Sequence, residues 1–463
     1  MITVTTFFSC SDDFLEPDPI SFVNESRFFQ NEEQLLTAVI DMYDGIQGVN
    51  TTSTNFNHGI QFEFQLTEMR SDNTRTKASE GEQAQFERFD VQATNGVVAD
   101  YYRSFYNVIF RSNVVLQNLG VASQANAGAI EGEAKFVRAY AYFNLVRLYG
   151  DVPLVDRVIS PTEEELAFTR VATDQIYQLI ISDLETAVAT LDNTHKNRAS
   201  KAAAETLLAK VHLTLKNYGA AQTLLESVMS SGFTLETNFK DVFYNENNNE
   251  VIFAIGYIGD NVQDSQGFSA EWLNAVGRTS GINYLTDEAK QILDEKGGNR
   301  TQYSYRVDIE QPTQHQVVKY LPDGDASLGI PSTSGDPTLA GNDWIVLRYA
   351  DVLLMHVEAI MAGGSTTGDA SAVASFQAVR NRAGLTDPVS NISLQDLLDE
   401  RRVELAFENH RLFDLIRLGV AESVLGDFAA ENGFTFSATD LLLPIPEAEI
   451  GLSKDRMKQN PGY

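Results

Sequence analysis

Four charged side chains recur at helical spacing near the carboxyl end of the chain. They are Glu404, Glu408, Arg411 and Asp414, and their intervals of three or four residues place them on one face of a helix. Two carboxylates held about 5 to 10 Å apart could cleave a glycosidic bond. The same pattern is typical of ion pairs along a helix surface. Because the chain has 64 acidic residues, such pairs also arise without any catalytic role. We therefore interpret the stripe as ion pairs.

Other catalytic and metal-binding patterns are absent from the sequence. It has no Gly-Lys-Ser/Thr phosphate loop, no dinucleotide-binding glycine pattern, no Gly-x-Ser-x-Gly elbow and no His-Glu-x-x-His pair. A single cysteine excludes a disulfide framework, and the six histidines lie far apart. Asp323 and Asp325 could begin a calcium loop, but the spacing that follows favours a turn. We predict no metal, no cofactor and no enzymatic activity, with a glycoside hydrolase as the alternative.

Aromatic residues in the irregular stretches favour carbohydrate binding. Flat aromatic faces stack on pyranose rings, while Asp, Asn, Gln or Arg side chains bond to the hydroxyl groups. Trp272 follows Gly267-Phe268-Ser269 in a segment with no helical or strand period, so it is the first stacking candidate. Trp344 directly precedes an apolar run and is predicted to pack in the core. Core packing is also the alternative for Trp272.

The segments that must position these residues show helical periodicity. Residues 134–148 predict a helix buried on most of its circumference. Residues 200–232 and 347–383 each read as a helix pair of the tetratricopeptide type, and residues 403–413 carry one continuous apolar face. Further helices are predicted at 32–47, 98–119, 173–191 and 394–425, and short strands at 251–255 and 317–320. The predicted fold class is mainly α, a tetratricopeptide-like helix-pair scaffold with long irregular loops and a few short strands.

Irregular stretches and charge narrow the class of ligand. Residues 48–95, 256–343 and 433–463 are irregular, and loops longer than about 15 residues in a compact domain are usually functional or disordered. We therefore expect the binding site there. With 34 basic and 64 acidic residues, the net charge is −30, which disfavours nucleic acid and makes a neutral glycan the easier ligand. The sequence has no run of 18 apolar residues, so no membrane-spanning helix is predicted.

Three long segments of the sequence and two short motifs resemble the SusD/RagB family, the glycan-binding outer-membrane lipoproteins of Bacteroidota. They occur in the family's order at residues 133–154, 347–355 and 400–415, at Pro444-Ile445-Pro446 and at Asn460-Pro461-Gly462-Tyr463. The similarity spans nearly the whole chain and is weakest in the loops. It implies a single SusD-like module over residues 11–463, with an N-terminal region at 11–250 and a C-terminal region at 251–463.

The resemblance gives Cys10 a role. Residues 1–10 end in Phe7-Phe8-Ser9-Cys10 and an acidic pair follows, which is similar to a lipoprotein signal that ends at the lipidated cysteine. This implies a lipid anchor at Cys10 and a place on the outer face of the outer membrane. Residues 1–9 contain no Lys or Arg and are shorter than a signal peptide, so we expect the start to be truncated or misassigned. A free thiol in a cytoplasmic protein is the alternative.

The resemblance also implies where the glycan binds and which partner receives it. The family's binding face is generally built from loops before and after the helical scaffold. The family has a polar motif in the first loop, which Asp72, Asn73 and Arg75 match, so these residues are the candidates for binding hydroxyl groups. Tyr284 is the candidate for a second stacking surface. A turn cap is the alternative for Asp72 and Asn73. The implied partners are an oligo- or polysaccharide and a SusC-type TonB-dependent outer-membrane channel. A peptide-binding tetratricopeptide scaffold is a further alternative.

Overall fold

The computed structural model describes residues 28–50, 57–77, 79–160, 162–246, 248–273, 281–307, 312–454 and 456–463. Cys10, the predicted lipidation site, lies outside these residues. The α-helices of the described residues are α1 Glu32–Gln47, α2 Glu63–Leu66, α3 Ala84–Arg88, α4 Gly96–Gln117, α5 Ala127–Tyr149, α6 Glu164–Phe168, α7 Thr173–Thr190, α8 Lys201–Thr214, α9 Tyr218–Met229, α10 Asp241–Tyr244, α11 Phe268–Glu271, α12 Asp287–Lys296, α13 Thr301–Ser304, α14 Tyr349–Met361, α15 Ala370–Arg382, α16 Leu394–Glu404, α17 Arg411–Arg417, α18 Ala421–Asn432 and α19 Glu447–Leu452.

Strands are short and pair only in twos within the described residues. They are β1 Thr74–Arg75, β2 Val152–Pro153, β3 Arg170–Val171, β4 Val251–Ile255, β5 Tyr284–Leu285, β6 Tyr305–Val307, β7 His315–Val317, β8 Trp344–Arg348, β9 Thr366–Thr367 and β10 Ile392–Ser393. The antiparallel pairs are β1 with β5, β2 with β3, β4 with β8, β6 with β7 and β9 with β10. The predicted strand at 251–255 is confirmed, whereas the one at 317–320 ends at Val317.

The long helices form a serial stack in which each helix packs mainly on its neighbours. In that order, α1 packs on α4, α4 on α5, α5 on α7, α7 on α8, α8 on α9, α9 on α14 and α14 on α15. Side-chain caps start several of them: Asn31 accepts from the Gln34 amide at α1, and Ser200 accepts from the Ala203 amide at α8. This arrangement confirms the predicted helix-pair scaffold. None of the described helices is both long and apolar enough to cross a membrane.

Helix α5 lies at the centre of the core, as its sequence predicts. Most of its residues are buried on all sides, and its Phe136 packs edge-on against Phe253 of β4 at 5.2 Å between ring centroids. Trp344 is also a core residue, because its ring contacts Phe268 at 5.3 Å and Tyr320 at 5.4 Å. The largest apolar cluster extends in sequence from Leu35 to Met457. One continuous core therefore includes both ends of the described chain.

The prediction of one long helix over residues 394–425 is wrong. The segment forms α16, α17 and α18, and the predicted continuous apolar face at residues 403–413 is broken between the first two. Phe407 and Asn409 adopt left-handed backbone conformations, with φ of 66° and 62°. These two residues reverse the chain, so that the Phe407 ring lies 5.8 Å from that of Trp272 in the core. Tertiary packing therefore favours a turn here, although the local sequence has a helical period.

The charged stripe near the carboxyl end consists of ion pairs, but they are buried rather than superficial. Glu404 accepts from Arg300 at 2.8 Å and from Arg348 at 2.6 Å, and Glu408 binds both Arg348 and Lys319 at 2.6 Å. The partners of these two carboxylates come from distant segments, whereas Asp414 also pairs with Arg417 three residues later. Because Glu404 has no solvent exposure, this carboxylate cannot reach a substrate. The network instead fixes α16 to the strands and loops around it.

Candidate functional site

Two of the predicted site residues lie opposite each other at an open cavity. The antiparallel register of β1 and β5 pairs Arg75 with Tyr284. Both side chains line a surface cavity of about 390 Å³, together with the start of α12 and the end of α18. Pockets that bind small ligands fall in a similar size range. The structure therefore brings a cation and an aromatic ring from segments 209 residues apart into one site.

Arg75 is held in a fixed orientation at the edge of this cavity. Its Nε donates to Glu87 Oε1 at 2.7 Å, and its Nη1 donates to Asn432 Oδ1 at 2.6 Å. The second Glu87 oxygen accepts from the backbone amide of Thr76 at 2.8 Å. The Arg75 side chain nevertheless remains 35% exposed. A guanidinium held this way presents donors in a defined plane, and its charge is already paired by Glu87.

Tyr284 supplies the aromatic surface of the cavity. Its side chain is half-buried, and burial raises the pKa of Tyr284 above its ordinary value, while the nearby Arg75 opposes this only in part. The phenol therefore stays protonated at neutral pH and can donate as well as accept a hydrogen bond. A ring with one apolar face and a polar tip suits a pyranose, whose faces are apolar and whose edge carries hydroxyls.

The other walls of the cavity are mainly acidic. Asp287, Glu288 and Glu431 are exposed and line it beside Asn432. Burial raises the pKa of Glu288, and a hydrogen bond with the Glu431 carboxyl raises it further. These two carboxyl groups line the cavity from α12 and α18. The local charge is negative, because the Arg75 cation is paired with Glu87.

Asp72 and Asn73 lie beneath the cavity and not in it. Each is only 1% exposed, so the prediction that they bind sugar hydroxyls is wrong. Asp72 accepts two bonds of 2.8 Å from Arg411 and contacts Arg402 at 3.0 Å. Burial disfavours its charge, but the two guanidinium groups outweigh burial and hold the pKa of Asp72 well below its usual range. The Asn73 oxygen accepts from Arg402 at 2.8 Å.

These buried residues position the cavity instead. The backbone oxygens of Asp72 and Asn73 accept from Thr286, through its hydroxyl at 2.9 Å and its amide at 3.0 Å. Thr286 is the N-cap of α12, and its hydroxyl also accepts from the Ala289 amide. The turn at Asp72 therefore fixes the start of α12 and, with it, the two acidic residues at the cavity.

Trp272, the first stacking candidate, lies in the core. It has 0% exposure, and its ring packs 5.3 Å from Phe64 and 5.8 Å from Phe407. The structure contradicts a direct contact with ligand at this position. The alternative interpretation of core packing is the one that the structure supports. An irregular segment has no period that could reveal which of its aromatic residues point inward.

Sequence analysis missed the wall contributed by α18. Phe428, Glu431 and Asn432 line the cavity from a helix more than 350 residues after Arg75. In the sequence these positions resemble the end of any helix that stops before a glycine, here Gly433 with a φ of 73°. Nothing local distinguishes them, since their role arises only because α18 packs beside β1 and β5.

Comparisons with known proteins identify the family. A model described as the SusD family matches residues 242–463, and a second, described as starch-binding associating with outer membrane, matches residues 13–213. The chain belongs to the SusD/RagB family. A SusD-like protein of Formosa agariphila is 27% identical to this SusD/RagB chain, over 100% of this chain and 98% of its own length.

Solved structures show the same fold. A laminarin-binding SusD-like protein is 24% identical to this SusD/RagB chain, with a TM-score of 0.77 and coverage of 94% of this chain and 100% of its own. Surface glycan-binding protein A from Bacteroides thetaiotaomicron, in complex with laminarihexaose, is 21% identical with a TM-score of 0.78, over 93% of this chain and 100% of its own. The mainly helical SusD-like fold predicted from the sequence is thereby confirmed.

Proposed function

We propose that this SusD/RagB protein binds a neutral oligo- or polysaccharide in the cavity between Arg75 and Tyr284 and performs no chemistry on it. The observation that carries the proposal is the half-buried Tyr284 ring, framed by Arg75 and Asn432 in a cavity open to solvent. The ring stacks on one sugar face, and the guanidinium and amide groups bond to the hydroxyls around it. The laminarin, laminarihexaose and starch in the descriptions of similar proteins and of the matching family model support this ligand class.

The acidic walls favour a neutral ligand over an anionic one. The three carboxyl groups of Asp287, Glu288 and Glu431 face the cavity, and Arg75, the one arginine among the described residues that line it, is already paired. An anionic sugar would add a further negative charge at short range, where repulsion is screened only in part by salt. The overall net charge of −30 acts in the same direction at longer range.

The geometry gives little support to the alternative of a glycoside hydrolase. Hydrolysis needs two carboxyl groups about 5 to 10 Å apart, on opposite sides of the sugar. Glu288 and Glu431 instead interact with each other, since a hydrogen bond with the Glu431 carboxyl raises the pKa of Glu288. The carboxylates of the stripe are buried in ion pairs. Binding without turnover is the function that this arrangement favours.

Affinity electrophoresis through gels containing laminarin, starch, xyloglucan or alginate tests the proposal, with thin-layer chromatography of the same mixtures for released sugars. We expect retardation by a neutral glycan and no product. Tyr284→Ala should weaken that binding about tenfold, since loss of an aromatic contact costs on the order of 1 kcal/mol. Phe110→Ala removes an exposed ring elsewhere and is the matched control. Released oligosaccharide would favour the hydrolase. Retention of a peptide library without glycan binding would favour the tetratricopeptide alternative.

We also propose, from family membership, that Cys10 carries a lipid anchor at the outer membrane and that the glycan passes to a SusC-type TonB-dependent channel. Mass spectrometry of the native protein should find a lipidated Cys10 at the mature amino terminus. Gentle extraction of outer membranes should co-purify the channel with this protein. An unmodified Cys10 behind an intact Met1 would contradict the anchor, and purification without any channel would contradict the delivery role.

A further inference from the structure

A second, larger cavity lies at the other end of the helix whose start lines the proposed site. It has a volume of about 580 Å³. Glu295 and Lys296 at the end of α12 line it, with Asp399 of α16 and Asn391 of the preceding loop. Glu288, two positions into the same helix, lines the first cavity. The seven-residue interval from Glu288 to Glu295 corresponds to about 10 Å along a helix, which is longer than one sugar ring.

Helices α12 and α16 lie side by side and antiparallel between the two cavities. At one end, Lys296 of α12 pairs with Asp399 of α16. At the other end, Glu288 of α12 lies 4.0 Å from Arg402 of α16. Helix α12 lines both cavities and α16 lines the second one, so the helix pair forms a floor that runs from the first cavity to the second.

The two helices present polar side chains along this floor. On α12, Glu288, Gln291 and Glu295 are exposed and share one face, since they are spaced by three and four residues. On α16, Gln395 is exposed, and Asp399 and Arg402 follow it at intervals of four and three residues on the same face. The α12 face includes Glu288 of the first cavity and Glu295 of the second, and the α16 face includes Asp399 of the second.

The chemistry of this floor suits hydroxyl groups better than ions. Gln291 donates to Glu295 at 2.8 Å between the two cavities, and Gln395 donates to Asp399 at 2.7 Å beside the second one, so both amides are held in place. In the second cavity, Leu385, Pro388 and Val389 add an apolar wall. Lys296 is paired with Asp399, and Arg380 contacts Glu400 at 3.3 Å. Paired cations, amides and an apolar wall match a neutral sugar.

We propose that the second cavity is a further carbohydrate subsite and that one neutral glycan chain extends from Tyr284 along Gln291 and Gln395 to Asn391. The inference rests on the proposed function of the first cavity and adds a length requirement to it. Short oligosaccharides occupy the first cavity alone. Longer chains also reach the second cavity and gain contacts with the Gln291 and Gln395 side chains.

Isothermal titration with short and long members of the laminari-, malto- and xyloglucan-oligosaccharide series tests the inference. The unmodified protein should bind long members at least about tenfold more tightly than short ones, since the longer chain adds several hydrogen bonds. Gln291→Ala/Gln395→Ala should weaken binding of long members about fivefold and leave short members within about twofold. Alanine is a strong helix former, so both helices remain intact.

Gln222→Ala is the matched control, because Gln222 donates to Glu226 at 2.8 Å on α9 and lies far from both cavities. It should leave both lengths unaffected. Equal affinity for short and long members, or equal losses for both in the double variant, would overturn the second subsite while the first remains. If the unmodified protein bound no member of any series, the proposed function itself would fail, and the inference with it.

Discussion

Glu68 is a buried carboxyl group that joins the first loop to the turn between α16 and α17. It accepts from the Asn409 amide at 2.9 Å and from the Asn73 side chain at 3.4 Å. Burial raises the pKa of Glu68 to about 7, and these hydrogen bonds offset only part of the effect. A folded-state pKa above the unfolded value stabilises the protein at low pH, and this contribution is lost as pH rises through the folded value.

Replacement of Glu68 should therefore change the pH dependence of stability. Between pH 4.5 and about 7, ionisation of Glu68 costs up to about 3 kcal/mol of unfolding free energy. Glu68→Gln removes this cost of ionisation. The unfolding free energy of the variant, compared with that of the unmodified protein, should therefore be higher at about pH 8 than at about pH 5. Urea unfolding at both pH values measures the difference. Glu33→Gln, at an exposed position on α1, should behave like the unmodified protein. Parallel pH curves for Glu68→Gln and the unmodified protein would contradict the assignment.

We expect the carboxyl groups of Glu288 and Glu431 to determine the charge preference of the cavity. Glu288→Gln/Glu431→Gln removes two acidic groups from the walls while their shape is kept. The ratio of affinities for an anionic over a neutral oligosaccharide should rise severalfold, and the change should shrink as salt is added. Titrations with alginate and laminarin oligosaccharides at low and high salt measure it. Glu447→Gln/Glu449→Gln on α19 is the control pair. An unchanged ratio would mean that the walls do not select by charge.

At the scale of elements, the turn at Asp72 connects the first loop to α16 and α17. Its carboxylate is shared between Arg402 and Arg411, and all three groups are largely buried. Removal of one partner from a buried ion pair leaves an uncompensated charge and costs about 3 to 5 kcal/mol. The same turn holds the N-cap of α12, so the geometry of the candidate site depends on it.

Asp72→Asn should therefore lower the unfolding free energy by about 3 kcal/mol and weaken glycan binding indirectly. Chemical denaturation measures stability, and titration of the folded variant measures affinity. Asp44→Asn is the matched control, because Asp44 pairs with Arg111 at a position 54% exposed, where a pair contributes about 0 to 1 kcal/mol. Equal losses for the two variants would show that the Asp72 pairs contribute no more than surface ones.

At the scale of the whole molecule, contacts between the predicted N-terminal and C-terminal regions are extensive. Glu63 accepts from Asn409 at 3.1 Å, Arg70 donates to the Asp440 backbone at 2.6 Å, and Asn460 donates to the Tyr149 backbone at 2.9 Å. The main apolar cluster also draws on both regions. The boundary at residue 250 therefore divides the sequence but not the contacts or the core. The single module stays a prediction.

Separate expression of residues 11–250 and 251–463 tests that prediction. Each fragment lacks partners for buried charges, such as Asp72 without Arg411, and exposes half of a shared core. We expect neither fragment to unfold cooperatively, whereas residues 11–463 should show one transition. Circular dichroism during heating measures this. A cooperative transition in either fragment alone would indicate two modules.

The sequence by itself determined the elements whose signals are local. The helix predicted at 32–47 and the helix pair predicted at 200–232 are both present in the structure, where they begin at the capping side chains of Asn31 and Ser200. The order of the long matching segments also sufficed to predict the SusD-like family and fold. The negative charge and the ligand class that it favours need only composition. These features depend on residues that are near one another along the chain.

Only the tertiary structure decided which candidates reach solvent. Trp272 and Tyr284 lie 12 residues apart in the same irregular stretch, yet one is in the core and the other lines the cavity. Asp72 and Arg75 are three residues apart, and only Arg75 is at the cavity. In irregular segments the direction of each side chain depends on distant partners, here Phe64, Arg411 and Asn432. Because those partners are more than 200 residues away along the chain, no local pattern records them.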